Sequence, residues 1–281
     1  MHFAQRRILM GSAVFVAAMS HAPHIRAFPT AGEAAPRERF YAGMQSAGEA
    51  LRASKPDAVI VISSDHFHNL FSDRMPAFCV GLASAYEGPA EDWIRMDPFS
   101  VPGAEKFSRE LIRHLFADGF DPAFAHAMKI EHGVAVPLSF LTPGFDLPIV
   151  PILQNCMMPP LPTLQRCYAF GVSLRRAIQA SALRVAVIGT GGLSHAPGAP
   201  EAGAIDTEFD REFLRMLSSD RPSDCVEITD ARLDRAGFGT WEVRQWITAL
   251  GVSGGRSARV LAYEPMPSWE TGCAVALFEV E

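Results

Sequence analysis

Three histidines stand where chemistry can gather. His21 lies in Ser20-His21-Ala22-Pro23, His195 lies in the same tetrapeptide at Ser194-His195-Ala196-Pro197, and His66 lies in Ser64-Asp65-His66-Phe67-His68. Each follows a short apolar run (residues 12–19, 183–188 and 58–63) that reads as a buried strand. In open α/β sheets, ligands bind outside the carboxyl ends of the strands, so three histidines delivered to that edge point to one shared site. Neutral imidazoles with one carboxylate suit a divalent transition metal. Two His and one Asp or Glu on one face of the ion leave the opposite positions open, as in non-haem Fe(II) oxygenases. His21 and His66 are the natural imidazoles. His195 follows the flexible Gly189-Thr190-Gly191-Gly192 loop and can stand beside the metal without ligating it. The carboxylate must come from elsewhere in the chain.

The elements that must position these residues alternate along the sequence. Further Val- and Ile-rich runs at 77–82, 147–153, 259–263 and 273–280 read as strands, and helical patterns cover 37–53, 103–118, 161–180, 204–217 and 241–250. Runs apolar on both faces imply a sheet covered by helices on both sides. The predicted fold is α/β: a single domain over 1–281 with a central, mostly parallel or mixed sheet and helices on both faces. No composition shift, linker or long-period repeat demands a second domain.

At this level the motifs become recognisable. His21 in Ser-His-Ala-Pro, His66 in Ser-Asp-His-Phe, Glu131-His132-Gly133 with Pro137-Leu138, and Gly189-Thr190-Gly191-Gly192-Leu193-Ser194-His195 together resemble the class III extradiol ring-cleavage dioxygenases. That superfamily includes the protocatechuate 4,5-dioxygenase catalytic subunit and 2,3-dihydroxyphenylpropionate 1,2-dioxygenase. The resemblance runs from about Ser20 to the C-terminus and includes residues 75–79 and 263–269. It implies that His21 and His66 are iron ligands and that Glu242, in Thr240-Trp241-Glu242-Val243, is the glutamate ligand opening a late helix. It further implies that His195 and His132 are acid–base residues, that Fe(II) is the one cofactor, and that both atoms of O2 enter the ring. The implied substrate is a catechol-like aromatic diol, or an aminophenol or hydroxypyridone, opened to a muconic semialdehyde-type product in aromatic catabolism. His195 would take a proton from the bound diol, and His132 would supply one later. The family also implies self-association or a small partner subunit.

Competing readings attach to single residues. Glu242 falls in the first turn of a helix that Thr240 would cap, where any carboxylate is favoured by the macrodipole. Glu131 competes as the carboxylate ligand, but successive side chains of an extended segment point oppositely, and His132 is wanted in the pocket. His24 and His68 are either pocket groups or surface histidines; His2, His114 and His126 read as structural, and Asp65 as shaping a turn. Gly251-Val252-Ser253-Gly254-Gly255 matches a nucleophile elbow, but it follows a helix and precedes a strand, so its glycines read as a helix stop. Two other classes stay open: a non-enzymatic relative that keeps the pocket for binding, and a zinc or manganese hydrolase on the same ligands.

Composition narrows the rest. With 281 residues, 48% hydrophobic and 20% charged, the chain can bury a sizeable core. A net charge of −6 argues against a nucleic-acid partner. No apolar stretch approaches the roughly 20 residues of a membrane span. Five cysteines without a C-x-x-C pair argue against a disulfide scaffold and for the cytoplasm. Residues 1–11 read as a leader. Arg6-Arg7 before an apolar run also fits a secretory signal, but cleavage there would strand His21, and a buried strand at 12–19 is preferred.

Overall fold

The computed structural model describes residues 10–280. In chain order the elements are β1 (Ser12–Met19), α1 (His24–Ala27), α2 (Ala34–Ser54), β2 (Ala58–Ser63), β3 (Phe78–Gly81), β4 (Ala85–Gly88), β5 (Phe99–Pro102), α3 (Glu105–Ala117), β6 (Ala123–Ala125), α4 (His132–Leu141) and β7 (Ile149–Gln154). They continue with α5 (Leu164–Ala180), β8 (Arg184–Thr190), α6 (Thr207–Leu217), α7 (Asp230–Arg235), α8 (Val243–Ser253), β9 (Ala258–Met266) and β10 (Thr271–Phe278). Eight strands form one mixed sheet in the order β6-β3-β7-β2-β8-β1-β10-β9, and β4 and β5 form a separate ribbon. The four central strands, β7-β2-β8-β1, run parallel. β3 and β10 join them antiparallel.

The sheet is buried on both faces because its strands carry apolar residues at both parities. Ile60 and Ile62 of β2 pack in one cluster with Leu111 of α3, Phe170 of α5, Phe213 of α6 and Trp246 of α8. Val59 and Val61, one residue out of phase, pack in the other with Met44 of α2 and Leu138 of α4. Burying each such side chain contributes about 1.5–3 kcal/mol. α8 is buried at every position from Val243 to Ser253, because it lies between the sheet and α5.

Several elements differ from expectation. α4 carries Pro137 and is buried over most of its surface, so it shows no amphipathic period and reads from sequence as a loop followed by an apolar segment. β4, β5 and β6 have three or four residues each, too few for a pattern. Residues 1–9 of the expected leader lie outside the described residues. Gly11 is already part of the fold: it is buried, and its N–H donates to the Ser181 carbonyl at 2.6 Å. The glycines after Ser253 do stop α8, with Gly254 at φ +79° and its N–H on the Gly251 carbonyl. Among the described residues no helix is long and apolar enough to cross a membrane.

Candidate metal centre

Adjacent strands β1, β8 and β2 end together: Met19 is in register with Thr190, and Ile62 with Gly189. His21, His195 and His66 leave from those three ends. The residue before each of His21 and His195 is tied to β10. Ser20 accepts the Ala274 N–H at 2.9 Å, and the Ser194 carbonyl accepts the Gly272 N–H at 3.0 Å. Both serines thus fasten onto the same stretch of β10 and set the histidine that follows. His66 precedes Phe67, whose φ of +61° is strained for a side chain of that size and turns the chain sharply after the β2 edge.

Glu242 arrives from the opposite direction. It ends a 3-10 turn, Phe238–Glu242, and occupies the position just before α8. The expected Thr240 cap is absent: the Thr240 hydroxyl donates to the Ala236 carbonyl instead, because the chain enters α8 through that tight turn. The turn aims the Glu242 carboxylate at the strand ends. Its Oε1 lies 3.0 Å from His21 Nε2 and 3.3 Å from His66 Nε2, and it accepts the Ser64 hydroxyl at 2.9 Å. Its Oε2 accepts the Gly192 N–H at 2.8 Å and lies 3.6 Å from His195 Nε2. Gly191 makes this approach possible, since with φ at +140° a Cβ there would meet the Glu242 Cβ at 2.8 Å.

Hydrogen bonds decide which nitrogens are free. The Thr190 hydroxyl donates to the Ile62 carbonyl at 3.2 Å, so its oxygen accepts His21 Nδ1–H at 2.9 Å. His66 donates Nδ1–H to Glu131 Oε2 at 2.9 Å. Both Nε2 lone pairs therefore face one carboxylate oxygen. Lone pairs at such a distance repel unless a cation sits among them. An ion with bonds of about 2.1 Å in octahedral geometry sets neighbouring donors about 3 Å apart. The three groups fit a divalent metal, with Thr190 and Glu131 as the outer partners that orient ligand imidazoles. Burial alone would lift the Glu242 pKa, but positive charge gathered among the imidazoles around it more than offsets this, so the carboxyl stays well below its ordinary range and ionised, as a ligand must be. Burial likewise opposes charge on His66, yet Glu131 and then Glu242 raise it well above its ordinary value.

His132 is the first residue of α4, with Glu131 just before it. Because a helix begins there, both side chains enter the same pocket; the extended-chain argument that set them apart fails. Glu131 Oε2 meets His66 Nδ1 and His132 Nδ1, each at 2.9 Å. Glu131 is an outer group to His66 rather than a partner of the two Nε2 atoms. The nitrogens of His21, His66 and His132 lie within 4.8 Å of one another, as do the ligating atoms of Glu91, Glu131 and His132. Burial lowers the His132 pKa, but the Glu131 charge outweighs it and the net direction is up. His195 differs. Its Nδ1–H donates to the Leu193 carbonyl at 2.7 Å, leaving the Nε2 lone pair toward the site, and burial holds its pKa down against the pull of Glu242. Gly239 lies against this ring, where a Cβ would come within 2.4 Å.

The remaining histidines separate. His68 Nε2 lies 3.3 Å from Glu91 Oε1, inside the pocket network. His24 stacks on Phe28. His114 is exposed on α3, and exposed His126 packs edge-on to Phe124. Asp65 accepts the backbone N–H groups of Asn69 and Leu70, which shapes the turn. Sequence reasoning missed Glu91, Thr190 and Asp210. The first follows Pro89 in a segment with no periodicity, and the third reads as one more polar position of amphipathic α6.

Fold and geometry define an α/β protein with a buried two-histidine, one-carboxylate centre flanked by two further imidazoles. A family model, the catalytic LigB subunit of aromatic ring-opening dioxygenase, matches residues 15–274. The chain belongs to this family, which implies a metal cofactor. The chain is similar to enzymes named 2,3-dihydroxyphenylpropionate/2,3-dihydroxicinnamic acid 1,2-dioxygenase. The Photorhabdus laumondii enzyme is 29% identical, over 82% of this chain and 87% of its own length. The Cupriavidus necator enzyme is 28% identical, with 91% and 95% covered. A crystal structure of an uncharacterized protein from Escherichia coli K12 aligns with TM-score 0.61 and 15% identity, covering 94% of this chain and all of that one, and shows the shared fold.

Proposed function

We propose that this protein is an Fe(II)-dependent extradiol dioxygenase that opens a catechol-like ring with both atoms of O2. The reading rests above all on one observation: His21 Nε2 and His66 Nε2 face a single oxygen of Glu242, with both Nδ1 atoms already committed. His21, His66 and Glu242 would hold the metal on one face. When bound, the metal supplies coordination of the diol oxygens and of O2, and lowers the hydroxyl pKa as it does for water.

The chain's own groups divide the proton work. His195, neutral and with Nε2 free, takes the proton of the entering diol as general base. His132 presents its ring from α4, in tilted contact with His66 at 4.1 Å between centroids, and returns a proton during ring opening. The buried walls from β1, β2 and α8 exclude bulk water around the reacting groups. Five buried, unpaired thiols support a reducing compartment.

A second reading has its own observation. The mutual proximity of His21, His66 and His132 suits a three-imidazole zinc site, which would support hydrolysis instead. The test is a panel of catechols, including one with a propionate arm, mixed with anaerobically Fe(II)-loaded protein and then O2. A yellow ring-fission product with one O2 consumed per diol is expected. Equal activity without metal, or loss of metal from a His132→Gln variant, would overturn the assignment.

A further inference from the structure

We infer that Glu91 is the positioning residue of His132, fixing its ring with Nδ1–H inward and Nε2 toward the substrate. The inference deepens the function proposed above, since it takes His132 as the proton donor of that reaction.

Glu91 is placed by main-chain pairing. β4 continues into a short ladder with the segment before α4: the Ile130 N–H donates to the Glu87 carbonyl and the Ala90 N–H to the Ile130 carbonyl, both at 2.8 Å. That ladder delivers Glu91 beside Glu131 and His132. Its side chain is 1% exposed and wholly engaged. The two oxygens accept the His132 backbone N–H at 3.0 and 3.1 Å, Oε1 accepts His132 Nδ1–H at 2.6 Å, and His68 Nε2 stands 3.3 Å from the same oxygen.

The two kinds of contact act together. The backbone bond fixes where α4 begins, and the Nδ1 bond fixes how the first side chain of that helix is turned. A carboxylate accepts and never donates, so the ring nitrogen facing it must carry hydrogen. The remaining nitrogen, Nε2, is then the one that faces the reacting molecule, the same logic by which a buried carboxylate orients a catalytic imidazole in hydrolases. Glu131 Oε2 stands equally, at 2.9 Å, from His132 Nδ1 and His66 Nδ1, whereas Glu91 Oε1 is 2.6 Å from His132 and only 3.3 Å from His68. Glu91 is the carboxylate given to His132.

Capping of α4 alone would explain the backbone bonds but leaves the shortest contact, to Nδ1, without a purpose. Glu91→Gln separates the two roles. It keeps shape and an acceptor for the helix end, but brings an NH2 group that cannot face an N–H. In the Zn(II)-loaded, diamagnetic protein, 15N spectra of the histidine rings, with His132 assigned through His132→Gln, should show one tautomer in the unsubstituted protein. In Glu91→Gln they should show mixed tautomers. Under Fe(II), kcat should fall about 10–100-fold, the usual cost of losing such an outer partner, with KM for the diol and metal content little changed. Glu91→Asp, which keeps the charge, should recover part of kcat. An unchanged His132 spectrum in Glu91→Gln overturns the inference, whatever the activity. Changed spectra with no ring fission by any form, unsubstituted protein included, would uphold the placement of His132 and overturn the dioxygenase reading instead.

Discussion

A single hydroxyl decides how His21 is protonated. Thr190 has given its hydrogen to the Ile62 carbonyl and can only accept, which turns the His21 lone pair toward Glu242. Thr190→Val keeps the shape of β8 and removes that acceptor. It should weaken metal binding about 10–100-fold while leaving the fold intact, as measured by metal titration. His21→Ala and Glu242→Gln should cost more, because they remove ligands; wild-type metal affinity in either would refute the ligand set. His195→Ala and His132→Ala should keep metal content near normal and slow turnover by about 10²–10⁴. At this scale the meeting of His21, His66 and His195 was legible because each follows an apolar strand, whereas His132, which opens α4, was reached only through family resemblance. Glu242 was legible through family resemblance, since its local position explains a carboxylate equally well. Glu91 was not legible: it meets His132 through a ladder between distant segments, and nothing near position 91 signals that pairing.

Among the elements, the loop carrying His195 depends on α6. Asp210, fully buried, accepts the Ser194 N–H at 2.8 Å, the Ser194 hydroxyl at 2.9 Å and the Tyr263 hydroxyl at 2.9 Å. Burial nevertheless pushes its carboxyl up to about 6, with those hydrogen bonds pulling the other way. The folded protein therefore holds this proton more tightly than the unfolded chain does. The associated stability is present in full below the ordinary value of 3.8 and is lost as pH rises to about 6. Asp210→Asn should flatten the decline in unfolding free energy over that window by up to about 3 kcal/mol, read from urea titrations at several pH values. Equal pH slopes in both proteins would refute it. A second element, the turn before α8, is tested by Gly239→Ala, whose methyl would strike the His195 ring. Turnover should fall with metal retained. Long periodic helices and buried strands were legible with errors of a few residues at their ends. α4 and the 3-10 turn were not, because an all-apolar helix has no period and a one-turn element is fixed by its tertiary contacts.

Over the whole molecule, the sheet divides the interior into two apolar layers that hold Cys79, Cys167, Cys225 and Cys273, while Cys156 is buried against Gln245. Burial pushes their thiols up, Cys79 to about 11 and Cys156 and Cys225 to about 12. None should react with an aromatic disulfide reagent in the native protein, and all five should react in denaturant. Rapid native labelling of any of them would show that these layers open locally. The α/β class and the covering of both sheet faces were legible from strands apolar at every position. The antiparallel pairing of β10 with β1 was not, since no local pattern records strand direction.

That pairing bears on how the protein is made. Among the described strands β1 leaves the ribosome first, yet its neighbours in the sheet are β8 and β10. The Ser20 hydroxyl must wait for a carbonyl 252 residues downstream, and His21 for a hydroxyl 169 residues downstream. At about 5–20 residues per second, the first of these delays alone is roughly ten to fifty seconds. Until β8 is made, an eight-residue, largely apolar strand has no partner on either edge, and until β10 is made one edge stays open to mispairing. The nascent chain, rather than the finished protein, is therefore the aggregation-prone form. Translation arrested before β8 should leave chains that a holdase chaperone captures, whereas chains released after β10 is complete should escape it.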